Sequence, residues 1–254
     1  MMPWLPSLGA WSRGSTLIAV AVLVGAAVAL VAVEPAAVAP LAVARVAGEQ
    51  TTASASSSVV WRMDRLDTVG GHTVKVVGAP RVVEVNGERV VEFDGAHDGL
   101  VVGVNPLAGL ARFTIEVVFE PAIDGPEEQR FLHVEESGAG SRALIELRML
   151  AGAKWCLDTY LRHGELGLTL IDRDRAHAAG QWHAAALTFD GQTMTHYVNR
   201  ARQGSGAVVF PPMKDGQTSL GVRQNMVSFF KGRIRLVRFT PEALAASALL
   251  EPPG

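Results

Sequence analysis

The sequence predicts an all-β fold, a β-sandwich of two antiparallel sheets formed by residues 59–249. Three observations lead to this prediction. From Val59 onward, roughly a dozen short segments alternate apolar with polar residues or are rich in β-branched residues, as strands are. Breaks rich in Gly, Pro and small residues separate these segments, at residues 121–126, 137–141 and 204–212. No helical periodicity precedes Pro241, and many short strands with regular turns are typical of a sandwich.

The first clear element is a hairpin over residues 81–93. Two runs rich in β-branched residues flank Asn86-Gly87, and this dipeptide favours a type I′ turn because both turn positions need positive φ. Further strands are predicted at residues 99–102, 113–120, 130–136, 143–150, 153–161, 165–171, 183–189, 193–198, 219–222 and 227–239. The sequence shows no internal repeat and indicates one β domain.

The C-terminal third of the chain orders its strand and turn signals in a specific way. A Trp-His at 182–183 opens an alternating strand, an Asp-Gly at 190–191 turns it, and a second strand ends in the Tyr-Val-Asn of 197–199. A short strand then ends at Gly221, and a Phe-x-Gly at 230–232 leads into the last strand. This order resembles the C-terminal half of laminin-G-like domains, which are concanavalin A-like lectin/glucanase jelly rolls.

The resemblance extends over residues 59–249, because VVEFDGAHDGLVV and FTIEVVFEP are similar to the paired opening strands of such domains. It implies a concanavalin A-like jelly roll of two antiparallel sheets. Domains of this family usually bind glycans or proteins, and only some branches are enzymes. The resemblance therefore implies the fold more firmly than it implies a binding role.

The resemblance also bears on calcium. Many relatives carry an Asp that often belongs to a bound calcium after the Gly-x-Ile of the last strand, whereas here Arg235 follows residues 232–234. This cation lowers the expectation of Ca²⁺. Asp94 and Asp98, on a Gly-rich turn, are the best candidate metal ligands, since Ca²⁺ prefers oxygen ligands. The alternative is that both residues serve only the turn itself.

Residues 1–44 are predicted to direct export. Arg13 precedes an unbroken apolar run over residues 17–33, and small residues allow cleavage after Ala44. The run exceeds the usual signal core of about 7–15 residues and approaches the ~20 that span a bilayer, so an uncleaved transmembrane helix is the alternative. Both place the remainder outside the cytoplasm, either secreted or periplasmic, or anchored to the membrane. Residues 45–58 are a flexible linker of small polar residues.

Composition excludes several classes of function. The formal net charge is -2 without a basic stripe, which argues against nucleic acid as a partner. Cys156 is the single cysteine, so the chain has no intrachain disulfide framework and no multi-cysteine metal site. We expect this thiol to be buried and structural.

A carbohydrate-binding face would need aromatic side chains to stack on sugar rings and polar side chains to bind hydroxyls. The residues expected to line such a concave face are His133, Arg148, Trp155, Tyr160, Arg162 and His163. Trp155 and Tyr160 are five positions apart, and an odd offset along one strand points two side chains to opposite faces, so at most one of them faces the ligand. The alternative is that these residues belong to the core and the rim.

The sequence patterns that would indicate a catalytic site are weak. Glu116 and Glu120 share a strand face roughly 13 Å apart, beyond the ~5–9.5 Å that glycosidases need. The segment 146–148 resembles a strand of alginate-lyase-like jelly rolls, in which a His and a Tyr are the base and acid and an Arg neutralises the uronate carboxylate. His133, Tyr160 and Arg148 would take these roles, although the strand order is the reverse of that family's.

The sequence thus predicts an exported, non-catalytic binding module that recognises carbohydrate through the concave face of the sandwich. Two alternatives stay open. One is a polysaccharide lyase or glycoside hydrolase of the same fold. The other is a protein–protein or adhesion module whose partner is a cell-surface or extracellular protein.

Overall fold

The computed structural model describes residues 57–138 and 140–253. The predicted signal or anchor at 1–44 lies outside these residues, as does the predicted linker at 45–58 except for its last two positions. The described part of the chain contains no helix that is both long and apolar enough to cross a membrane. Its regular structure consists of β-strands and one 3₁₀ turn at Ala246–Ala248.

The strands follow one another with short connections. The first eight are β1 (Val59–Arg62), β2 (Thr68–Val69), β3 (His72–Val77), β4 (Arg81–Val85), β5 (Glu88–Asp94), β6 (Gly99–Val102), β7 (Phe113–Pro121) and β8 (Glu128–Glu136). The remaining strands are β9 (Arg142–Leu150), β10 (Lys154–His163), β11 (Leu166–Ile171), β12 (His177–Ala178), β13 (His183–Phe189), β14 (Thr193–Val198), β15 (Ala201–Ala207), β16 (Gly216–Leu220) and β17 (Lys231–Thr240).

The strands form two antiparallel sheets, which confirms the predicted all-β sandwich. The first sheet has the order β15-β14-β13-β7-β17-β5-β4, with β1 also paired to β17. The second has the order β11-β10-β9-β8-β16-β6-β3-β2, with β12 paired to β10. Strands distant in sequence are neighbours in both sheets, as β7 is to β17 and β8 to β16. This pairing of strands that are far apart in the sequence gives the sandwich its jelly-roll topology.

Three predicted boundaries were wrong, and one of them is that of the strand expected at residues 219–222, which the structure places at Gly216–Leu220 (β16). Residues 204–212 read as a break because of their Gly, Ser and Pro content, yet Ala201–Ala207 form strand β15. Glycine is favoured there by packing: a Cβ at Gly204 would lie 3.0 Å from Nε2 of His196, and one at Gly206 would lie 2.9 Å from Cδ2 of Leu168, so these side chains would have to shift. The last strand begins at Lys231 rather than at residue 227, because the preceding residues form a loop with positive φ at two positions.

The core between the sheets is built around aromatic rings. Phe119 of the first sheet stacks on Phe131 of the second with 4.3 Å between ring centroids, and it meets Trp155 edge-on at 5.2 Å. Phe230 contacts both phenylalanine rings. Burying each such ring contributes roughly 1.5–3 kcal/mol. This cluster therefore joins the two sheets at their middle.

A polar pair also crosses the interior. His196 of β14 is 1% exposed, and its Nδ1 lies 3.1 Å from Oγ1 of Thr159 on β10. Burial lowers the pKa of His196 to about 4, so the imidazole is neutral at pH 7. Protonation would place an unpaired charge between the sheets.

We expect Phe119→Ala to lower the free energy of unfolding by about 3–5 kcal/mol, because it removes a ring that touches partners from both sheets and leaves a cavity. Chemical denaturation followed by tryptophan fluorescence measures this. Ile123→Ala, at a 63% exposed position, is the control and should change stability little. A loss below 1 kcal/mol for Phe119→Ala would contradict the central role of this cluster.

His196 should make stability depend on pH. Its folded pKa is below the unfolded value, so the unfolded chain binds more protons and stability falls as pH falls from 6.5 towards 4. The loss attributable to this residue is roughly 3 kcal/mol across that window. His196→Gln should flatten the pH dependence of the unfolding free energy by about that amount. Identical slopes for both proteins would show that His196 does not titrate with folding.

Candidate functional site

Strand alternation sorts the side chains of the second sheet between the core and its outer face. On β9, Ile145 and Leu147 point into the core cluster, whereas Glu146 and Arg148 point outward. On β10, Trp155, Leu157 and Leu161 lie in the core, whereas Asp158 and Tyr160 point outward. The two strands pair antiparallel with Asp158 opposite Glu146. The outer face therefore gathers charged side chains from adjacent strands.

A bulge adds a third strand to this face. The pairing of β8 with β9 shifts register between Arg130 and Leu132. Because of that extra residue, both Phe131 and Leu132 face the core while Arg130 and His133 on either side face outward. Arg130 thereby comes opposite Glu146.

These side chains surround a pocket of about 240 Å³ on the outer face of the second sheet. Its polar lining consists of Arg130, Glu146, Arg148, Asp158, Tyr160, Thr169 and Arg223, and we call it the arginine pocket. Pockets for drug-sized ligands span about 300–1,000 Å³, so this one suits a smaller group such as one sugar ring.

Arg148 is the hub of an ion-pair network. Its Nε and Nη2 donate to Oδ2 of Asp158 at 2.8 and 2.6 Å. Its Nη1 lies 2.6 Å from Oε2 of Glu128, and Nη2 lies 3.5 Å from Oε2 of Glu146. Two near-buried carboxylates on neighbouring strands are thus held by one planar guanidinium, whose fork geometry matches them.

Arg130 closes the network on its other side. Its Nε donates to Oε1 of Glu146 at 3.0 Å, it also pairs with Glu128, and its Nη1 donates to Oγ of Ser228 at 2.5 Å. Ser228 belongs to the loop between β16 and β17. The contact therefore ties that loop to the face of the sheet.

The two acidic residues have perturbed ionisation. Burial raises the pKa of Glu146 to about 7, although Arg130 and Arg148 oppose the shift. Burial also raises the pKa of Asp158. At neutral pH the Glu146 carboxyl is thus present in both forms, one that donates a hydrogen bond and one that only accepts. Oδ1 of Asp158 has no hydrogen-bond partner among the described residues.

Tyr160 supplies the only aromatic ring in the lining described by the structure. A Cβ at Gly167 on the neighbouring strand would lie 2.9 Å from the Tyr160 hydroxyl and 3.1 Å from its ring. Glycine at 167 therefore lets the ring lie across strand β11. The Cζ atom of Arg142 lies 5.7 Å from the ring centroid, within reach of a cation–π contact.

Of the predicted ligand-binding residues, the structure brings Arg148 and Tyr160 together in the arginine pocket. His133 faces the same side but is 1% exposed, and its Nδ1 accepts the backbone N–H of Gln224 at 3.1 Å. Burial, with Arg223, Arg142 and Arg130 as further causes, lowers the pKa of His133 to about 3. The pocket therefore does not unite the histidine, arginine and tyrosine of the lyase alternative.

The other three predicted residues lie elsewhere. Trp155 is fully buried and packs in the core, so its expected place on the ligand face was wrong, in agreement with the odd spacing from Tyr160. Arg162 and His163 lie at the end of β10. Nε of Arg162 donates to the Gly164 carbonyl at 2.5 Å, and Nδ1 of His163 lies 2.8 Å from Oγ of Ser141.

Sequence reasoning missed five polar residues of the pocket, namely Arg130, Glu146, Asp158, Thr169 and Arg223. Glu146 and Asp158 share a strand face with Arg148 and Tyr160, so alternation alone was a usable signal for them. Arg130 depends on the bulge in β8, and Arg223 lies on a loop far away in sequence. No local pattern identifies these two arginines.

Asp94 and Asp98 do not fit a calcium site. Oδ1 of Asp94 accepts the backbone N–H groups of Ala96, His97 and Asp98 at 2.8–3.0 Å. Although burial opposes it, these bonds lower the pKa of Asp94 to about 2. Asp98 accepts the N–H of Ala79 and of Asp94. The carboxylates thus build the turn.

The last strand agrees with this assignment. Arg235, which stands where relatives often carry a calcium-binding Asp, pairs with Glu88 at 2.5 Å. Within residues 57–138 and 140–253, no group of three or more His, Cys, Asp or Glu side chains is arranged to hold a metal ion.

A larger cavity of about 550 Å³ lies at the end of the first sheet between Ala111, Gln192 and residues 207–212. Its lining contains no charged side chain and is mostly apolar. It lacks the convergent polar groups that fix the orientation of a ligand. Of these two cavities, the arginine pocket is therefore the better candidate for a specific site.

Comparison with known proteins agrees with the architecture. The family model Laminin_G_3, described as the concanavalin A-like lectin/glucanases superfamily, matches residues 94–249. No curated protein sequence matches the chain. Many solved structures are similar, at low sequence identity.

Three of them illustrate the range. Domain 4 of AbnA, a GH43 extracellular arabinanase from Geobacillus stearothermophilus in complex with arabinotriose, is 16% identical with a TM-score of 0.56; the match covers 74% of this chain and 94% of that one. The ligand binding domain of botulinum neurotoxin serotype D in complex with N-acetylneuraminic acid is 12% identical with a TM-score of 0.56, over 74% of this chain and 48% of that one. The heptameric SAP-like pentraxin from Limulus polyphemus is 14% identical with a TM-score of 0.50, over 61% and 76%. At these identities the likeness shows a shared fold.

We expect the Glu146 carboxyl to titrate with a pKa of about 7 and Arg148→Gln to raise that pKa, because the variant removes a guanidinium that stabilises the carboxylate. A ¹³C NMR titration of the Glu146 side-chain carboxyl carbon measures both. Arg62→Gln, an identical change on the exposed side of β1, should leave the titration unchanged. An unchanged or lower pKa in Arg148→Gln would contradict the network.

Proposed function

The chain belongs to the Laminin_G_3 family of the concanavalin A-like lectin/glucanases superfamily, and from this premise we propose that residues 59–249 form an exported, non-catalytic module that binds carbohydrate. Its binding site is the arginine pocket. Residues 1–44 act as the export signal or membrane anchor, and residues 45–58 as the linker, which places the module outside the cytoplasm.

The observation that carries the proposal is the composition of the pocket. Three guanidinium groups, two carboxyl groups with raised pKa values and one tyrosine converge on a space of about 240 Å³. Sugars present closely spaced hydroxyls, each a donor and an acceptor. Paired carboxylate and guanidinium groups bind such hydroxyls strongly because their hydrogen bonds are charge-assisted.

The pocket is also preorganised for binding. Arg148 and Arg130 are each held by at least two carboxylates, so their side chains lose little freedom when a ligand arrives. Two similar structures were solved with sugars, arabinotriose in one and N-acetylneuraminic acid in the other. These neighbours support a carbohydrate as the ligand class.

We expect the purified full chain to bind glycans on an oligosaccharide and polysaccharide array. Tyr160→Ala should weaken binding about 10- to 100-fold, since it removes the aromatic surface and a hydroxyl from the pocket. Isothermal titration with the best array ligand measures the change. Arg62→Gln, on the other sheet, serves as the control and should bind like the unmodified protein.

Three other outcomes would contradict the proposal. Loss of affinity in the control equal to that in Tyr160→Ala would place the ligand elsewhere. New reducing ends or unsaturated uronates in the same samples would show an enzyme. Failure of the folded protein to bind any glycan would overturn carbohydrate recognition and favour the adhesion alternative with an extracellular protein partner.

A further inference from the structure

We propose that the arginine pocket selects a sugar that carries a carboxylate, such as a uronate, and that Arg223 binds this carboxylate. The inference rests on the proposed function, because it names the class of carbohydrate for the same pocket. It follows from how the arginines are paired.

The three arginines of the pocket differ in their partners. Arg148 is neutralised by Asp158 and Glu128, and Arg130 by Glu146 and Glu128. No carboxylate lies within ion-pair distance of Arg223 among residues 57–138 and 140–253, and Glu146 and Glu135 act on it only from longer range. Its guanidinium is therefore available to a ligand.

The surroundings of Arg223 are cationic. Arg142 and Arg130 lie near enough to repel it, and after burial their charge is the next cause that lowers its pKa. Arg142 itself has only a loose partner, Glu135 at 3.8 Å, and its Nε has no hydrogen-bond partner among the described residues. A carboxylate bound to Arg223 would reduce the repulsion between its guanidinium group and those of Arg142 and Arg130.

The same three arginines also act on a buried histidine. The pKa of His133 is lowered to about 3 by burial and then by the charges of Arg223, Arg142 and Arg130. Its one nearby carboxylate, Glu135 at 3.6 Å, is shared with Arg142.

The loop that carries Arg223 is fixed against the sheet. Gln224 donates from its backbone N–H to Nδ1 of His133, and its Nε2 donates to the carbonyls of His133 and Gln217 at 3.2 and 2.9 Å. The N–H of Met226 donates to the Arg223 carbonyl at 2.8 Å. The backbone of Arg223 is therefore held in place before a ligand binds.

The remaining groups of the pocket suit the rest of such a sugar. With the carboxylate on Arg223, ring hydroxyls would lie beside the carboxyl group of Glu146 and the hydroxyl of Tyr160, which line the same pocket. The half-buried ring of Tyr160 supplies an apolar surface beside them. The volume of about 240 Å³ limits the pocket to one sugar unit, at a chain end or a branch.

The test compares acids with their neutral esters. Oligogalacturonate, oligomannuronate and sialyllactose, each with its methyl ester, are titrated against the full chain by isothermal calorimetry. We expect at least one acid to bind about tenfold or more tightly than its ester, because a guanidinium–carboxylate bond is charge-assisted. Added NaCl should reduce that preference.

Variants assign the preference to one residue. Arg223→Gln should bind acid and ester with similar affinity, and Arg223→Lys should restore part of the preference for the acid because it keeps the charge without the planar fork. Near-UV circular dichroism confirms that both variants are folded. Arg62→Gln should keep the full preference.

The outcomes separate this inference from the proposed function. If every ester binds as tightly as its acid, or if Arg223→Gln retains the preference for the acid, the inference is overturned while carbohydrate binding stands. If neither acids, esters nor neutral glycans bind, the proposed function is overturned as well.

Discussion

The outer face of the second sheet depends on one electrostatic constraint. The antiparallel register of β9 and β10 places Glu146 directly opposite Asp158, and both side chains are at most 5% exposed. Two like charges in direct cross-strand contact destabilise a sheet unless cations neutralise them. Arg148 on the same strand as Glu146, and Arg130 brought in by the bulge of β8, meet this need.

This constraint explains why the network is more than a set of surface ion pairs. Exposed pairs contribute about 0–1 kcal/mol each, and buried ones cost much of their attraction in lost hydration. A sheet face could instead bury apolar residues at no such cost. Its concentration of arginines and carboxyls beside a pocket is therefore more readily explained by binding than by stability. The elevated pKa of Glu146 fits that view, since perturbed groups cluster at functional sites.

The two sides of the second sheet are linked through the same strands. Trp155 and Leu157 complete the aromatic and aliphatic core, while Asp158 and Tyr160, their neighbours in sequence, form the pocket. Core packing between the sheets fixes the position of β10, and β10 in turn fixes the geometry of the arginine pocket. The similar structures share this sandwich at 12–16% identity, which shows a common fold.

Local alternation with a period of two residues was enough to predict the all-β class, most strand positions and the opposite orientation of Trp155 and Tyr160. Strand β15 was not recognised from its local sequence, because its glycines read as a break although they lie close to side chains of other strands. The pairing of distant strands, the bulge in β8 and the position of the β16–β17 loop on the second sheet are visible only in the folded structure. Arg130 and Arg223 therefore entered the site only through the folded chain, as long-range pairing depends on how all apolar faces are buried together.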